Sequence, residues 1–560
     1  FNGIMRVESS FGYIYRRKEL KDAVQLTRVL YPSTNAAHYC EEYTFKNSSP
    51  NQITLRVPEW NVTYTTPEEA GVYGAYCIEA GLSKSGVFVL KPGETLEFYA
   101  IFSGRKLADA SSGLNSTGLS HINILSERAA REALISQWWG NLVLETPDPV
   151  LNRMFAFAKL RGAESIYRTK GGLMHGPGGE AYYAAVWAND QAEYINPFFP
   201  FLGYEIGNES ALNSFRHFAR YMNPEYKPIP SSIISEGVSF WHGAKDRGDG
   251  AMIAYGAARY ALARGDKAEA RELWPLIEWC LEYCNRKLTP AGVVASNSDE
   301  LENRFPAGDA NLCTSTLYYD ALRSAVMLGR ELGVSAKQLN MYRNQANALE
   351  KAIEKHFGYE IEGFHSYRYY EGNDILRSWI CMPLVMGIYT RTQGTIDALF
   401  SPRLWTDDGL LTQAGTETFW DRSTLYALRG TIAAGEVEKG MNFLKKYSHR
   451  RLLGDHVPYA IEAWPEGDQR HLSAESGLYC RIYTEGLFGI RPTGLRSFEM
   501  TPRLPQEWEY MNLNRVRAFN SEFDIRVRRA GKKLHVEILK GGKPVLKKSV
   551  TEGATIKVNL

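Results

Sequence analysis

Four stretches of the 560-residue sequence set carboxylates among aromatic and basic side chains. In Ser296-Asn297-Ser298-Asp299-Glu300-Leu301-Glu302-Asn303-Arg304-Phe305, three acids fall within four positions, beside Arg304. Like charges this close raise one another's pKa, so that one carboxyl can stay protonated near neutrality. A second stretch runs from Tyr459 to Gly477 and holds Glu462 beside Trp464, then Arg470, His471 and Glu475. The third, 184–193, sets Trp187 and Asn189 against Asp190, and the fourth, 241–250, contains Trp241, His242, Arg247 and Asp249. An acid held protonated near a carboxylate held ionised is what hydrolysis of a glycosidic bond requires: one assists the leaving oxygen, the other activates water or attacks the sugar. Each stretch alone has a plainer explanation. The acidic run reads as a solvated loop, the second as a surface loop with ordinary salt bridges, Asp190 as a helix N-cap and His242 as a structural histidine.

What positions these stretches is a long helical region between two β regions. Residues 51–57 alternate through Ile53, Leu55 and Val57, the period of a half-buried strand, and 86–102 continue that style around the turn Lys91-Pro92-Gly93-Glu94. A β-sandwich is the expectation for the start of the chain. The Ser/Gly/Asn-rich stretch 111–118 marks a boundary, followed by a linker helix over 126–138. From about residue 147 the apolar spacing turns helical, as in Ile253, Ala257, Tyr260 and Ala261. Six helix–loop–helix units are expected, their first helices beginning near Pro149, Gln191, Asp249, Leu312, Ile375 and Arg422. The turns inside pairs are short. The loops 169–189, 224–247, 291–311 and 452–473 are long, polar and aromatic, which is uncommon for segments without a function. Neither a fixed repeat length nor a repeat motif is present, which favours a closed barrel over a solenoid. At the end of the chain, Phe523, Ile525 and Val527, then Leu534, Val536 and Ile538, return to strand alternation across Gly531-Lys532-Lys533.

The expected fold is therefore mainly α: a six-hairpin α/α toroid over 147–492, with an N-terminal β-sandwich over 1–112, a linker over 113–146 and a small C-terminal β-domain over 493–560. Net charge is +2 without a basic block, so nothing argues for nucleic acid as a partner. No apolar run reaches the roughly 20 residues of a membrane span. The seven cysteines are scattered, with no Cys-x-x-Cys pair, so buried free thiols are expected and no metal site. No cofactor is implied. The 33 Tyr and 12 Trp suit a protein that offers flat faces to sugar rings, although large cores also hold many aromatics. Phe1 is not a natural start, so a processed or trimmed product is expected.

In their order along six hairpins, the four stretches resemble those of the six-hairpin glycosidases: glucoamylases, α-L-rhamnosidases, inverting α-L-fucosidases and related disaccharide phosphorylases. Trp187-Ala188-Asn189-Asp190 is similar to Trp-x-Arg-Asp and Trp-x-Gly-Asp signatures whose Asp binds the sugar, with Asn189 at the place of Arg or Gly. Arg247-Gly248-Asp249-Gly250-Ala251 is similar to a glucoamylase Arg-Asp-Gly-Pro-Ala segment. Glu302-Asn303 resembles the Ser-Pro-Glu-Asn motif of fucosidases, whose Glu is the general acid, with Leu301 where Pro is usual. Ile461-Glu462-Ala463 and Leu472-Ser473-Ala474-Glu475-Ser476 resemble the glucoamylase Ala-Glu-Gln segment, whose Glu is the general base, and its downstream Ser-Ala. Residues 487–492 and 501–505 look like the barrel exit and first C-terminal strand of rhamnosidases and phosphorylases. The resemblance covers about 147–538. It implies a glycoside hydrolase, inverting, with Glu302 as acid and Glu300 its alternate, and Glu462 as base and Glu475 its alternate. Trp187, Asn189, Asp190, Trp241, Asp249, Arg304, Trp420, Trp464 and His471 would bind an oligosaccharide or polysaccharide. No single family fits throughout; the first choices of substrate are an α-L-rhamnoside or an α-L-fucoside. The location implied is the bacterial periplasm or exterior, with the signal peptide outside this chain. The alternatives are a phosphorylase of the same fold, with a phosphate site in place of the base, and a carbohydrate-binding barrel without activity.

Overall fold

The computed structural model describes residues 3–71, 73–107, 122–177, 185–234, 240–241, 243–454, 460–464 and 473–560. The chain divides into two compact units, Phe1–Trp139 and Gly140–Leu560. The first is built on a six-stranded antiparallel sheet whose neighbours run Met5–Tyr15, Lys18–Pro32, His38–Asn47, Thr95–Lys106, Tyr76–Leu82 and Asn61–Thr65. Ile53–Val57 and Gly86–Leu90 pair in a separate ladder. Val57 and Leu90 of the ladder pack with Leu96 and Phe98 of the sheet, so the alternation read from 51–57 buries one face. The turn before Thr95 needs a left-handed residue, and Gly93 supplies it at φ +84°. Helix α1 (Ile124–Gly140) is tied to the sheet through buried Arg131, which donates to the carbonyls of Pro32 and Ser33 at 2.9 and 2.7 Å.

The helices of the second unit are α2 (Pro149–Glu164), α3 (Ala188–Ile195, π-wound), α4 (Glu205–Ala219), α5 (Asp249–Arg264), α6 (Lys267–Arg286), α7 (Leu312–Leu332), α8 (Ala336–Phe357), α9 (Met382–Met386, entered by the 3-10 turn Ser378–Cys381), α10 (Thr392–Leu399), α11 (Asp421–Ala434), α12 (Val437–Leu453) and α13 (Ser473–Arg481). Burial sorts them into two kinds. In α3, α5 and α13 essentially every residue is buried, the mark of a helix surrounded by protein. In α8 only Leu339, Tyr342, Ala346, Leu349, Ile353 and Phe357 are buried, one stripe at helical spacing.

The buried helices touch in cyclic order. Helix α3 packs on α5, α5 on α7, α7 on α9, α9 on α11, α11 on α13, and α13 on α3. Each has a partner outside: α4 on α3, α6 on α5, α8 on α7, α10 on the Ser378–Cys381 turn, α12 on α11 and α2 on α13. Gly256 lets α5 approach α3, since a Cβ there would lie 1.6 Å from the Ala192 carbonyl oxygen. The pairing differs from the sequence expectation at one point. Pro149 opens not the first helix of a consecutive pair but the outer partner of the last inner helix, so the first and last helices close the array. Two of the helices carry aspartate caps: Asp148 accepts from the amides of Val150 and Leu151, and Asp266 from those of Ala268 and Glu269.

The C-terminal strands form a three-stranded sheet, Arg491–Gly494, Ser497–Met500 and Ile556–Asn559, and a five-stranded one. The latter takes an edge strand, Val143–Glu145, from the segment that precedes the helices. That segment, expected as linker, thus contributes α1 and a strand. The C-terminal strands share the core of the helices and lie in the same compact unit as them. All seven cysteines are buried and free. No helix among the described residues is long and apolar enough to cross a membrane.

Candidate active site

Residues from the N-terminal ends of the inner helices converge on one buried group of charges. Asp190 lies in the first turn of α3, Asp249 opens α5, Arg422 is the second residue of α11 and Glu475 lies in the first turn of α13; Glu300 comes from the loop before α7. Arg422 is the hub. Its Nη2 lies 2.6 Å from Glu475 and 3.5 Å from Asp190, and its Nη1 lies 3.5 Å from Glu300. The guanidinium rests over the Trp420 ring at 4.7 Å.

One buried cation facing three buried carboxylates leaves a surplus of negative charge, and protons are the means of relieving it. Burial, reinforced by the charge of Glu193 and then by Asp190 and Glu475, pushes the Glu300 carboxyl well above the usual range against the pull of Arg422. Glu475 is pushed up to about 8, burial outweighing its close contact with Arg422. Asp190 is raised by burial, opposed by Arg422 and Arg247. Deeper along α3, Glu193 accepts from the Tyr426 hydroxyl, and burial lifts it to about 7. Beyond their ion pairs with Arg422, both oxygens of Glu300 and Oδ1 of Asp190 make no hydrogen bond among the described residues. Buried polar atoms of this kind are rare in folded proteins and call for an explanation.

Glu302 is held differently. It accepts from Arg247 at 3.1 Å through Oε1 and from Arg304 at 2.9 Å through Oε2, so both oxygens are committed to guanidinium groups. Its backbone is left-handed at φ +58°, as is that of Asn303 at +65°. Such strain in non-glycine residues is concentrated at functional sites. Arg247 is fully buried and also donates to Asn189 at 3.0 Å and to Asp249 at 3.1 Å. Asn189 thus binds the arginine of the next loop. Asp249 accepts in addition from Ser231 at 2.7 Å. The ring of Trp187 lies under Arg247 at 5.4 Å and against Trp241 at 5.4 Å and 52°. Arg304 lies over the other side of the site, 5.6 Å from Trp420.

The loop carrying Glu462 is anchored by Asp421, whose Oδ2 accepts from the Ile461 amide at 2.7 Å and is fixed by Arg451 and Tyr447. The charge of Glu462 is felt at both Arg422 and Glu475. Trp464 pairs through its backbone with Phe419. His471 lies outside the described residues. Buried His175 joins α13 to α3: Gln191 Nε2 donates to its Nδ1 at 3.0 Å, so Nε2–H is left to donate to Ser473 Oγ at 2.9 Å. Burial lowers the His175 pKa to about 3, which keeps the ring neutral.

The structure thus brings together Trp187, Asn189, Asp190, Trp241, Asp249, Glu300, Glu302, Arg304, Trp420, Glu462 and Glu475. Sequence reasoning missed the roles of Arg422, Arg247, Glu193 and His175. The available signal was an Asp-Arg pair opening a helix rich in apolar residues: a charge that cannot face water must face a counter-charge.

No protein-family model and no curated protein matches the chain. Its fold resembles those of solved structures. A sialidase superposes with a TM-score of 0.58 at 12% identity, over 98% of this chain and 62% of that one. A bacterial glucoamylase complexed with acarbose gives 0.54 at 11% identity, over 86% and 85% of the two chains. A rhamnosidase from a Bacillus species gives 0.54 at 12% identity, over 91% of this chain and 53% of that one. The chain therefore spans less than two thirds of the sialidase and of the rhamnosidase. At these identities the likeness is one of fold.

Proposed function

We propose that this chain is an inverting glycoside hydrolase on a six-hairpin α/α toroid, with Gly140–Leu560 as the catalytic unit. The observation that carries the reading is the group of buried carboxylates around Arg422, at the N-terminal end of the inner helices and flanked by Trp187, Trp241 and Trp420.

Within it the general acid is Glu300 rather than Glu302. A general acid must carry a proton to the leaving oxygen. Burial and neighbouring carboxylates raise the Glu300 pKa and so favour its protonated form, whereas Glu302 has both oxygens occupied by arginines. Glu302 is the positioning carboxylate that orders Arg247 and Arg304 beside the tryptophans. Glu462 is the base. It takes a proton from water as that water attacks the anomeric carbon, while the C–O bond breaks and the Glu300 proton passes to the departing oxygen. Glu475 is its alternate, fixed by Arg422. Asp190, Asn189 and Asp249 would bind glycone hydroxyls, and the aromatic faces suit an apolar sugar edge. An α-L-linked 6-deoxy sugar, rhamnose or fucose, is the preferred glycone, in keeping with the rhamnosidase among the structural neighbours. The proposed location is the bacterial periplasm or exterior.

The test is turnover of aryl glycosides by Glu300→Gln, Glu302→Gln and Glu462→Gln. Loss of the acid should cost about 10²–10⁴-fold on poor leaving groups and much less on dinitrophenyl glycosides, which leave without a proton. Loss of the base should cost a similar factor whatever the leaving group. If Glu300→Gln shows no such dependence and Glu302→Gln does, the acid is Glu302.

A further inference from the structure

At the opposite end of the inner helices lies a cavity of about 290 Å³. Arg259 near the end of α5, Val385 and Gly387 at the end of α9, Arg429 in the last part of α11 and Glu485 beyond α13 line it, and Arg491, Thr501 and Arg503 of the C-terminal strand region close it. Its charge is strongly unbalanced. Asp320 accepts from Arg259 at 2.8 Å and Arg491 at 2.8 Å. Glu485 lies 3.1 Å from Arg259 and 3.3 Å from Arg429, and also pairs with Arg481. Two carboxylates thus answer Arg259, Arg429, Arg481 and Arg491, and Arg503 adds another cation.

Arginines at helix C-termini ordinarily serve the exposed carbonyls there. Arg429 does not: its side chain is only 3% exposed, its Nη1 is spent on the ion pair with Glu485, and its Nη2 makes no hydrogen bond among the described residues. Arg503 Nε is in the same condition. A buried guanidinium whose Nη2 is uncommitted, on a polar cavity, offers a donor of the kind by which arginine binds oxyanions.

We infer that this cavity is a binding site for a small oxyanion of the phosphate or sulfate type, held between Arg429 and Arg503 and linking the helices to the C-terminal strands. Its volume admits the free ion or a monosaccharide ester. It lies at the far end of the inner helices from the carboxylates, so it does not supply phosphate to a glycosidic bond, and glycosidase activity is a separate question.

The test is calorimetric titration of the full chain with inorganic phosphate, inorganic sulfate and a monosaccharide 6-phosphate, each against potassium chloride at matched ionic strength. Saturable binding is expected in the wild type, weakened at least tenfold in Arg429→Gln and in Arg503→Gln. It should be unchanged in Arg403→Gln, where an exposed arginine pairs with Glu362. If Arg429→Gln does not fold, half-buried Arg503 provides the decisive variant. Tighter binding of the ester than of both free ions would assign the site to a sugar phosphate, and the reverse to the ion. Absence of saturable binding beyond the chloride control, or undiminished binding in Arg503→Gln, would overturn the inference.

Discussion

At the scale of single residues, Arg422 holds the candidate site together. Removing it as Arg422→Met leaves Asp190, Glu300 and Glu475 buried without their shared cation. Uncompensated buried charge costs about 3–5 kcal/mol, read as a lower midpoint in urea at pH 7. The loss should shrink at pH 5, where the carboxylates can be protonated instead. In the wild type the same group makes stability pH-dependent. Glu193 and Glu475 have folded pKa values of about 7 and about 8, above those of an unfolded chain. The folded state therefore binds protons more tightly. Its advantage is complete below the unfolded values near pH 4.5 and is lost as pH rises through 7 and 8. Thermal midpoints should fall over that window, and Glu475→Gln should flatten the fall. A midpoint that rises from pH 5 to 8, in a variant series that changes nothing, would contradict this reading. Little of this was legible in the sequence. The acidic run 299–302 stood out because its charges are adjacent, but its members are sorted by burial: Glu300 is enclosed and Glu302 reaches two arginines. Glu193 looked like any acid in a helix.

At the scale of elements, the distinction between inner and outer helices decides what a substitution does. The stripe on α8, from Leu339 to Phe357, has the 3.6-residue period of a helix lying on the outside, and it was readable directly. So were the starts at Asp249 and Leu312, which are those observed. Helix α3 was less legible, since its π winding shifts the period and its charged residues all face protein. Contact of α3 with α5 at Gly256 has no slack, so Gly256→Ala should destabilise by at least about 1–3 kcal/mol through overpacking. The cap substitution Asp266→Ala should cost only about 1 kcal/mol. Chemical denaturation of both variants ranks them; a Gly256→Ala protein as stable as wild type would mean that the helices can separate there.

At the scale of the whole molecule, alternation of short turns and long loops implied an array of hairpins, and the contacts of the inner helices run in a closed cycle. What pattern alone did not convey was how the cycle closes. Helix α2 and α13 are separated by most of the chain, and no local periodicity links them. The C-terminal strands likewise read as a region apart, whereas they share the helices' core and borrow the strand Val143–Glu145. Gathering the N-termini of the inner helices at one end places the carboxylates in a single group, and the C-termini gather the arginines at the other. If the first group is catalytic, the first-formed sugar should have the inverted anomeric configuration, because an inverting site leaves room for water between acid and base. Proton NMR of a reaction stopped within the mutarotation time distinguishes this from retention. The most direct test of the central claim is hydrolysis of a panel of aryl α- and β-glycosides and plant oligosaccharides by wild type, Glu300→Gln and Glu462→Gln, with and without added phosphate. The account predicts phosphate-independent release of one sugar by wild type and its loss, by about 10²-fold or more, in both variants on substrates with poor leaving groups. Release from no substrate, with sugar binding equal in all three proteins, would contradict it and leave a carbohydrate-binding protein.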